Sequence, residues 1–206
     1  SGGLDGQAGF QRSLACNVLA QTSLDIIINS SHIHRAMIKI GGRGSEMFFH
    51  APAIIDIKGA LTLNGIVEIG NGCLLRVEKN GKLIFGNKVR IGAFSKIICE
   101  DSITFGNEID VSWESQIFDT NFHYIKEVNT EKISPKTAPV IIGSYNWFGN
   151  RANIMKGTIT PDNTIIASNS LLNKNYTNTP PYSVLAGTPA KFIRSGVKRM
   201  FEGVDL

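Results

Sequence analysis

Residues 142–194 read IGSYNWFGNRANIMKGTITPDNTIIASNSLLNKNYTNTPPYSVLAGTPAKFIR, and this stretch decides the fold. Every sixth residue from Ile142 is Ile142, Phe148, Ile154, Thr160, Ile166 and Leu172. Five are large and apolar, and the sixth is β-branched. The residues that follow Ile142, Phe148, Thr160 and Ile166 are Gly143, Gly149, Pro161 and Ala167, all small or ring-closed. A period of six fits neither a helix at about 3.6 nor a strand at about 2, so it calls for a repeat architecture of short strands joined by tight corners. With three hexads to a coil, Ile142 stacks on Thr160, Phe148 on Ile166 and Ile154 on Leu172. The large residues fill a narrow prism, and the small ones sit where a side chain would crowd a corner. One coil cannot bury this face alone, so several must stack.

The segments IIGSYNWFGNRANIMKG and VLAGTPAKFIR resemble the C-terminal half of the hexapeptide-repeat acyltransferases. That family's pattern is roughly I-G-x-x-x-W-I-G-x-x-x-x-I-x-x-G, then G-x-P-A-K-x-I. The resemblance implies an all-β chain wound as a left-handed parallel β-helix, and a homotrimer with active sites between subunits. The left hand departs from the usual right-handed crossover rule. It follows from the resemblance and not from the periodicity.

Upstream the rhythm is degraded. The pair of an apolar residue and Gly recurs at Ile69-Gly70, Phe85-Gly86, Phe105-Gly106 and Ile142-Gly143, with separations of 16, 20 and 37. Coils with small deletions and insertions at their corners are expected. Within coils the hexad persists as Phe85, Ile91, Ile97 and as Phe105, Val111, Ile117. The last gap is one coil plus roughly 19 residues, which must leave the solenoid. Residues 119–139, DTNFHYIKEVNTEKISPKTAP, fit that loop, and loops of this length are commonly functional. The resemblance implies that it reaches over a neighbouring subunit's site.

The domain reading is an arm with capping strands over residues 1–52, the β-helix over 53–195 and a tail over 196–206. The arm is expected to hold a short helix near 14–21 and strands near 24–28, 36–40 and 47–50. These strands would form an irregular cap over the open sheet edges. The tail carries Lys198, Arg199, Met200 and Phe201 and reads as a short amphipathic helix.

Composition narrows the classes. The chain has 206 residues with 42% hydrophobic and 18% charged, which suits one folded domain. A net charge of +4 lacks the dense basic stripe expected for nucleic acid and is compatible with an anionic co-substrate. Three widely spaced cysteines, Cys16, Cys73 and Cys99, with no CxxC, suit a reduced cytoplasmic compartment and not a thiol catalyst. No apolar run approaches the roughly 18 residues of a membrane span. No secretory leader is recognisable, although the chain opens Ser-Gly-Gly without Met, as a trimmed start would.

Of the four histidines, His32, His34, His50 and His123, only His123 lies in the repeat zone, where the coil gives way to the loop. Acyl transfer from a thioester to a hydroxyl needs a base, and a neutral imidazole suits that near neutral pH. The segment Asp119-Thr-Asn-Phe-His123 resembles the family's D-x-D/N-x-H, which implies that His123 is the catalytic base. Asp119 and Asn121 alternate with His123, so an extended segment would put all three on one side, with Asn121 as an acceptor contact and Asp119 either orienting the imidazole or holding an acceptor hydroxyl. Glu114 is a further acceptor-side candidate by resemblance. The resemblance also implies acetyl-CoA as co-substrate, lying along a groove of small residues. Gly149, Ala167, Ser168 and Gly187 are placed for it, with Trp147 flanking the thiol arm or the trimer seam and Lys191 and Arg194 meeting phosphates. No metal is expected. A γ-type carbonic anhydrase needs three His on zinc, and the repeat zone has one.

The resemblance implies an O-acetyltransferase acting on a sugar hydroxyl, in bacterial surface-polysaccharide biosynthesis. It would be cytoplasmic and associated with membrane-bound assembly machinery. The alternatives are N-acylation of an amino sugar and a non-catalytic scaffold. A serine acetyltransferase is disfavoured, because residues 1–50 leave no room for its helical N-terminal domain.

Overall fold

A computed structural model describes residues 18–22, 26–42 and 48–200. Its strands lie in three parallel faces, and the chain visits first, second and third face in turn for about six turns. This is the stacked repeat architecture that the period of six calls for.

The period-six stretch stacks as read. Ile142 pairs with Thr160, Phe148 with Ile166 and Ile154 with Leu172, and all six are buried. On the first face the buried ladder is Ile55, Leu75, Ile97, Ile117, Ile154, Leu172. Its steps, by subtraction of those residue numbers, are 20, 22, 20, 37 and 18. On the second face Leu63, Phe85, Phe105, Ile142 and Thr160 form the ladder. The Phe85 and Phe105 rings stack there at 4.9 Å and 16°.

The spacing of 16 has a different origin from the one expected. Ile69 pairs with Ile91 on the third face, whereas Phe85 pairs with Leu63 on the second. The interval therefore joins two faces of the prism. The early coils are longer than three hexads, with the extra residues at corners such as Glu78–Gly81, where Gly81 N–H closes a turn on the Glu78 carbonyl.

Polar residues hold the second-to-third corner. The backbone N–H of Ile66 donates to Asn87 Oδ1, that of Asn87 to Asn107 Oδ1, that of Asn107 to Ser144 Oγ and that of Ser144 to Asp162 Oδ1. Each coil thus satisfies an amide that the parallel ladder leaves over at the turn. At the third-to-first corner the glycine is steric. A Cβ on Gly149 would lie 2.5 Å from the backbone nitrogen of Ser168. Phe94, Glu114, Arg151 and Asn169, with φ of 57°, 58°, 58° and 58°, make the left-handed turn two residues after the position that packs so closely.

Four expectations change in the arm and the tail. Val18–Thr22, Ile26–Ile28 and Ile38–Gly42 pair in parallel with Ala53–Ile57, Ala60–Leu63 and Val67–Gly70. The described part of the arm is therefore the first coil and not an irregular cap. Over its later part the helix near 14–21 is replaced by the strand Val18–Thr22, which pairs along Ala53–Ile57; residues 14–17 lie outside the described residues. No strand forms over 48–50, and residues 196–200 are irregular and not helical, while 201–206 lie outside the description.

The extruded segment, expected as an irregular loop, is an antiparallel ribbon. Ile125–Lys126 pairs with Ile133–Ser134, and Thr120 bridges to Thr137. Ala138 N–H donates to the Asp119 carbonyl and Asn121 N–H to the Lys136 carbonyl, so the ribbon is closed at its root.

Candidate active site

The candidate residues fall on three separate parts of the prism. His123 stands on the ribbon at the first-to-second corner and is exposed. Glu114, Gly149, Ala167, Ser168 and Gly187 line the third-to-first corner. Trp147, Lys191 and Arg194 lie on the third face. Within one chain, His123 and the small-residue corner occupy opposite edges of the first face.

Asp119 does not share the side of His123. Phe122 has φ of 62°, which breaks the extended alternation between them. Asp119 is fully buried, and its two carboxylate oxygens accept from Glu100 N–H and Asp101 N–H, each at 2.8 Å. It follows Phe118, which pairs with Ile98, and so falls beside Cys99 at the end of the interior column Ile57, Val77, Cys99. Asp119 anchors the root of the ribbon and does not face an acceptor. Replacing it by Ala is expected to cost about 2 kcal/mol, because both amides are partly reachable by water once released. Urea unfolding checks this, whereas an acceptor contact would change KM and leave stability alone. Asn121 is half-buried at the same root.

Glu114 is committed to an ion pair with Arg151, at 2.6 Å between Oε2 and Nε. Both are partly exposed, so the pair contributes little to stability. Gly149 is buried, while Ala167 is half-buried and Ser168 and Gly187 are exposed. Ser168 Oγ donates to Asn150 Oδ1 at 2.7 Å. Lys191 and Arg194 are exposed on Ala190–Arg194, which turns back antiparallel on Val184–Gly187.

Trp147 carries a cover that sequence reading did not reveal. The Arg199 guanidinium lies over its ring at 5.1 Å and is ion-paired to Asp110 on the preceding coil. Burial alone would raise the Asp110 pKa, but hydrogen bonds from Arg90 and Arg199 outweigh it and hold the carboxyl below the usual range. An aromatic group was also missed. Phe48 and Phe94 lie 5.4 Å apart and Phe48 and Trp113 6.1 Å, outside the third-to-first corner. Its members are far apart in the sequence, so no local signal joins them.

Among the described residues no His, Cys, Asp and Glu group could hold a metal ion, and no helix is long and apolar enough to cross a membrane. Cys73 and Cys99 are buried, and Cys16 lies outside the described residues. Burial pushes the Cys73 thiol up to about 11. Burial, followed by the Asp119 charge, pushes Cys99 further in the same direction. Peptides bearing these two cysteines should stay unlabelled after iodoacetamide treatment of the native protein at neutral pH, as read by mass spectrometry.

No family model matches the sequence. The chain is 24% identical over 151 residues to a putative lipopolysaccharide biosynthesis O-acetyl transferase, WbbJ of Escherichia coli K12, covering 69% of this chain and 76% of that protein. It is 27% identical over 120 residues to the polysialic acid O-acetyltransferase of Escherichia coli O1:K1, covering 58% of this chain and 38% of that one. Among solved structures it superposes on the polySia-specific acetyltransferase NeuO with a TM-score of 0.62 and 19% identity, over 93% of this chain and 92% of that one. The polysialic acid O-acetyltransferase OatWY follows at 0.55 and 17%, over 88% and 95%. AntD, an N-acyltransferase from Bacillus cereus solved with dTDP and coenzyme A, matches at 0.55 and 14%, over 84% of each chain. The fold is thus that of the hexapeptide-repeat acetyltransferases. With the named O-acetyltransferase relatives it supports an acetyltransferase.

Proposed function

We propose that the chain transfers the acetyl group of acetyl-CoA to a sugar hydroxyl in surface-polysaccharide biosynthesis, in the cytoplasm. We further propose that it acts as a homotrimer with a site at each subunit boundary. The observation that carries the reading is the placement of His123. Among the described residues the solenoid is interrupted by one long insertion, and there an imidazole is held in solvent on a ribbon whose root is pinned by Asp119.

The trimer is supported by the separation of parts. The base and the small-residue corner lie on opposite edges of one face, so a base from one subunit would meet the corner of the next. At that corner Gly149 allows close backbone approach, and exposed Ser168 and Gly187 continue the line toward Lys191 and Arg194. The two cations suit the phosphates of the co-substrate.

The chemistry asked of the chain is modest. His123 accepts the hydroxyl proton as the sugar oxygen attacks the thioester carbonyl carbon. Backbone N–H groups stabilise the charge that develops on the carbonyl oxygen. The carbon–sulfur bond breaks, the thiolate leaves, and the imidazolium returns the proton to sulfur. The products are the acetyl ester and free coenzyme A, with no covalent enzyme intermediate.

The test is calorimetric titration with acetyl-CoA, then incubation with a panel of sugars and amino sugars while free thiol is followed. Binding and hydroxyl-dependent thiol release are expected. No acetyl-CoA binding would sink the reading, and transfer confined to amino sugars would replace the O-acetyl part. A single-subunit mass in light scattering would remove the trimer.

A further inference from the structure

Among the described residues no side chain holds the His123 imidazole by a hydrogen bond or ion pair. Its direction within the chain is therefore set by the backbone that leads to it and by the groups that fix that backbone. Three contacts do so.

The first is the buried Asp119 carboxylate, bound to the Glu100 and Asp101 amides, which fixes the chain up to that residue. The second belongs to Thr120, which is also fully buried. Its Oγ1 accepts the N–H of Phe122 at 2.9 Å and closes a tight turn, as Ser and Thr hydroxyls do. On its other side Thr120 bridges to Thr137 in the returning half of the ribbon.

The third contact is aromatic. The Phe122 ring meets the Phe118 ring edge-on, at 5.6 Å between centroids and 70° between planes. Ile117 points into the prism, so Phe118 beside it faces out from the first face. Phe118 is nevertheless buried, and the Phe122 ring is part of what covers it. The pair fastens the start of the ribbon to the outside of the solenoid.

These contacts converge on a residue that needs them. Phe122 has φ of 62°, a left-handed conformation that brings Cβ too close to the following carbonyl oxygen. Without its holds the chain would relax toward an extended form, and the direction of His123 would change with it. A general base acts only within about 2.6–3.2 Å of the proton it takes. A misplacement of about 1 Å can cost roughly a hundredfold in rate.

We propose that Thr120 is a positioning residue for His123. Its buried hydroxyl, together with the Phe118–Phe122 ring pair, holds the left-handed turn that aims the imidazole. The proposal rests on the reading of His123 as the base. Thr120 touches neither substrate and acts through the backbone of Phe122.

The experiment compares the full chain with its Thr120→Val and Thr120→Ser variants. Valine keeps the branched shape and loses the acceptor oxygen, whereas serine keeps the oxygen. Thiol release from acetyl-CoA is followed with methyl hexopyranosides and trimeric sialic acid as acceptor probes, and the probe turned over fastest is used throughout. Thr120→Val is expected to lower kcat roughly tenfold to a hundredfold. KM for the probe and calorimetric affinity for acetyl-CoA should change less than about threefold. Thr120→Ser should return kcat to within about threefold of the parent chain. A threonine with a structural role alone would lower the urea midpoint and leave kcat of the folded protein unchanged. NMR reads the turn itself: in Thr120→Val the Phe118–Phe122 ring NOE should weaken and the Phe122 amide–Hα coupling should move toward its extended value. If Thr120→Val does not fold, Phe122→Gly takes its place with the same expected fall in kcat. That side chain is 44% exposed, and glycine accepts the left-handed turn while losing the ring that fixes it. An unchanged kcat in the folded variant overturns the proposal while the acetyltransferase reading stands. So does an unchanged coupling and NOE in Thr120→Val, or a loss confined to KM. Thiol release with no probe in the parent chain is a separate result, seen before any variant is made, and it removes the base role on which the proposal rests.

Discussion

His123→Ala is expected to lower kcat for acetyl transfer by roughly a factor of 10²–10⁴, the range for loss of a general base. A sugar hydroxyl is a weak nucleophile until its proton has somewhere to go, and no other histidine lies on the ribbon. Acetyl-CoA affinity should be unchanged, because the co-substrate would lie against a different corner. Stability should also be unchanged to within about 0.5 kcal/mol, since the side chain is exposed and outside the core. Stopped thiol-release assays with calorimetric titration of the same variant separate these effects. A variant that keeps full kcat would transfer the base role to another residue. Loss of acetyl-CoA binding would place His123 in the binding line instead.

The second large effect is on stability. Phe105→Ala should cost about 3–5 kcal/mol in urea unfolding. The ring is buried between Phe85, with which it stacks at 4.9 Å, and Ile142 on the following coil. The prism is closed by three faces, so neighbouring coils have little freedom to collapse into the space. The lost aromatic pair adds about 0.5–1.5 kcal/mol within that total. Thr104→Ala is the control: Thr104 pairs with Ile84 and Ile141 but points outward, and it should change stability by less than about 1 kcal/mol. Comparable losses for both variants would mean that the ring does not hold the coils together.

The regular half of the fold was legible because its signal is short-range. Ile142, Phe148 and Ile154 declare their faces through spacing alone, and each has its partner eighteen residues on. The earlier coils obscured the rhythm because a parallel ladder tolerates extra residues at a corner. Pairing depends on the faces and not on the number of residues between them. Ile69 and Phe85 therefore looked like successive copies although they lie on different faces. His123 was legible as the one histidine at the interruption. Asp119 was misplaced because alternation assumes an extended chain, and the left-handed Phe122 breaks it.

The groups least visible in the sequence are joined only by stacking. Arg199 meets Asp110 and Trp147 across intervals of 89 and 52 residues, read from their numbers, and Phe48 meets Trp113 across 65. No local pattern marks such pairs, since a solenoid makes neighbours of residues according to coil and face. By itself the sequence determined the β-helix, the point of interruption and the imidazole placed there, because periodicity and its failure are local properties of the chain. Only the tertiary structure decided which edge each candidate occupies, that Asp119 is spent on the ribbon root, and that Phe48, Phe94 and Trp113 come together. Those facts depend on how coils of unequal length come into register, and that register is set by packing inside the prism.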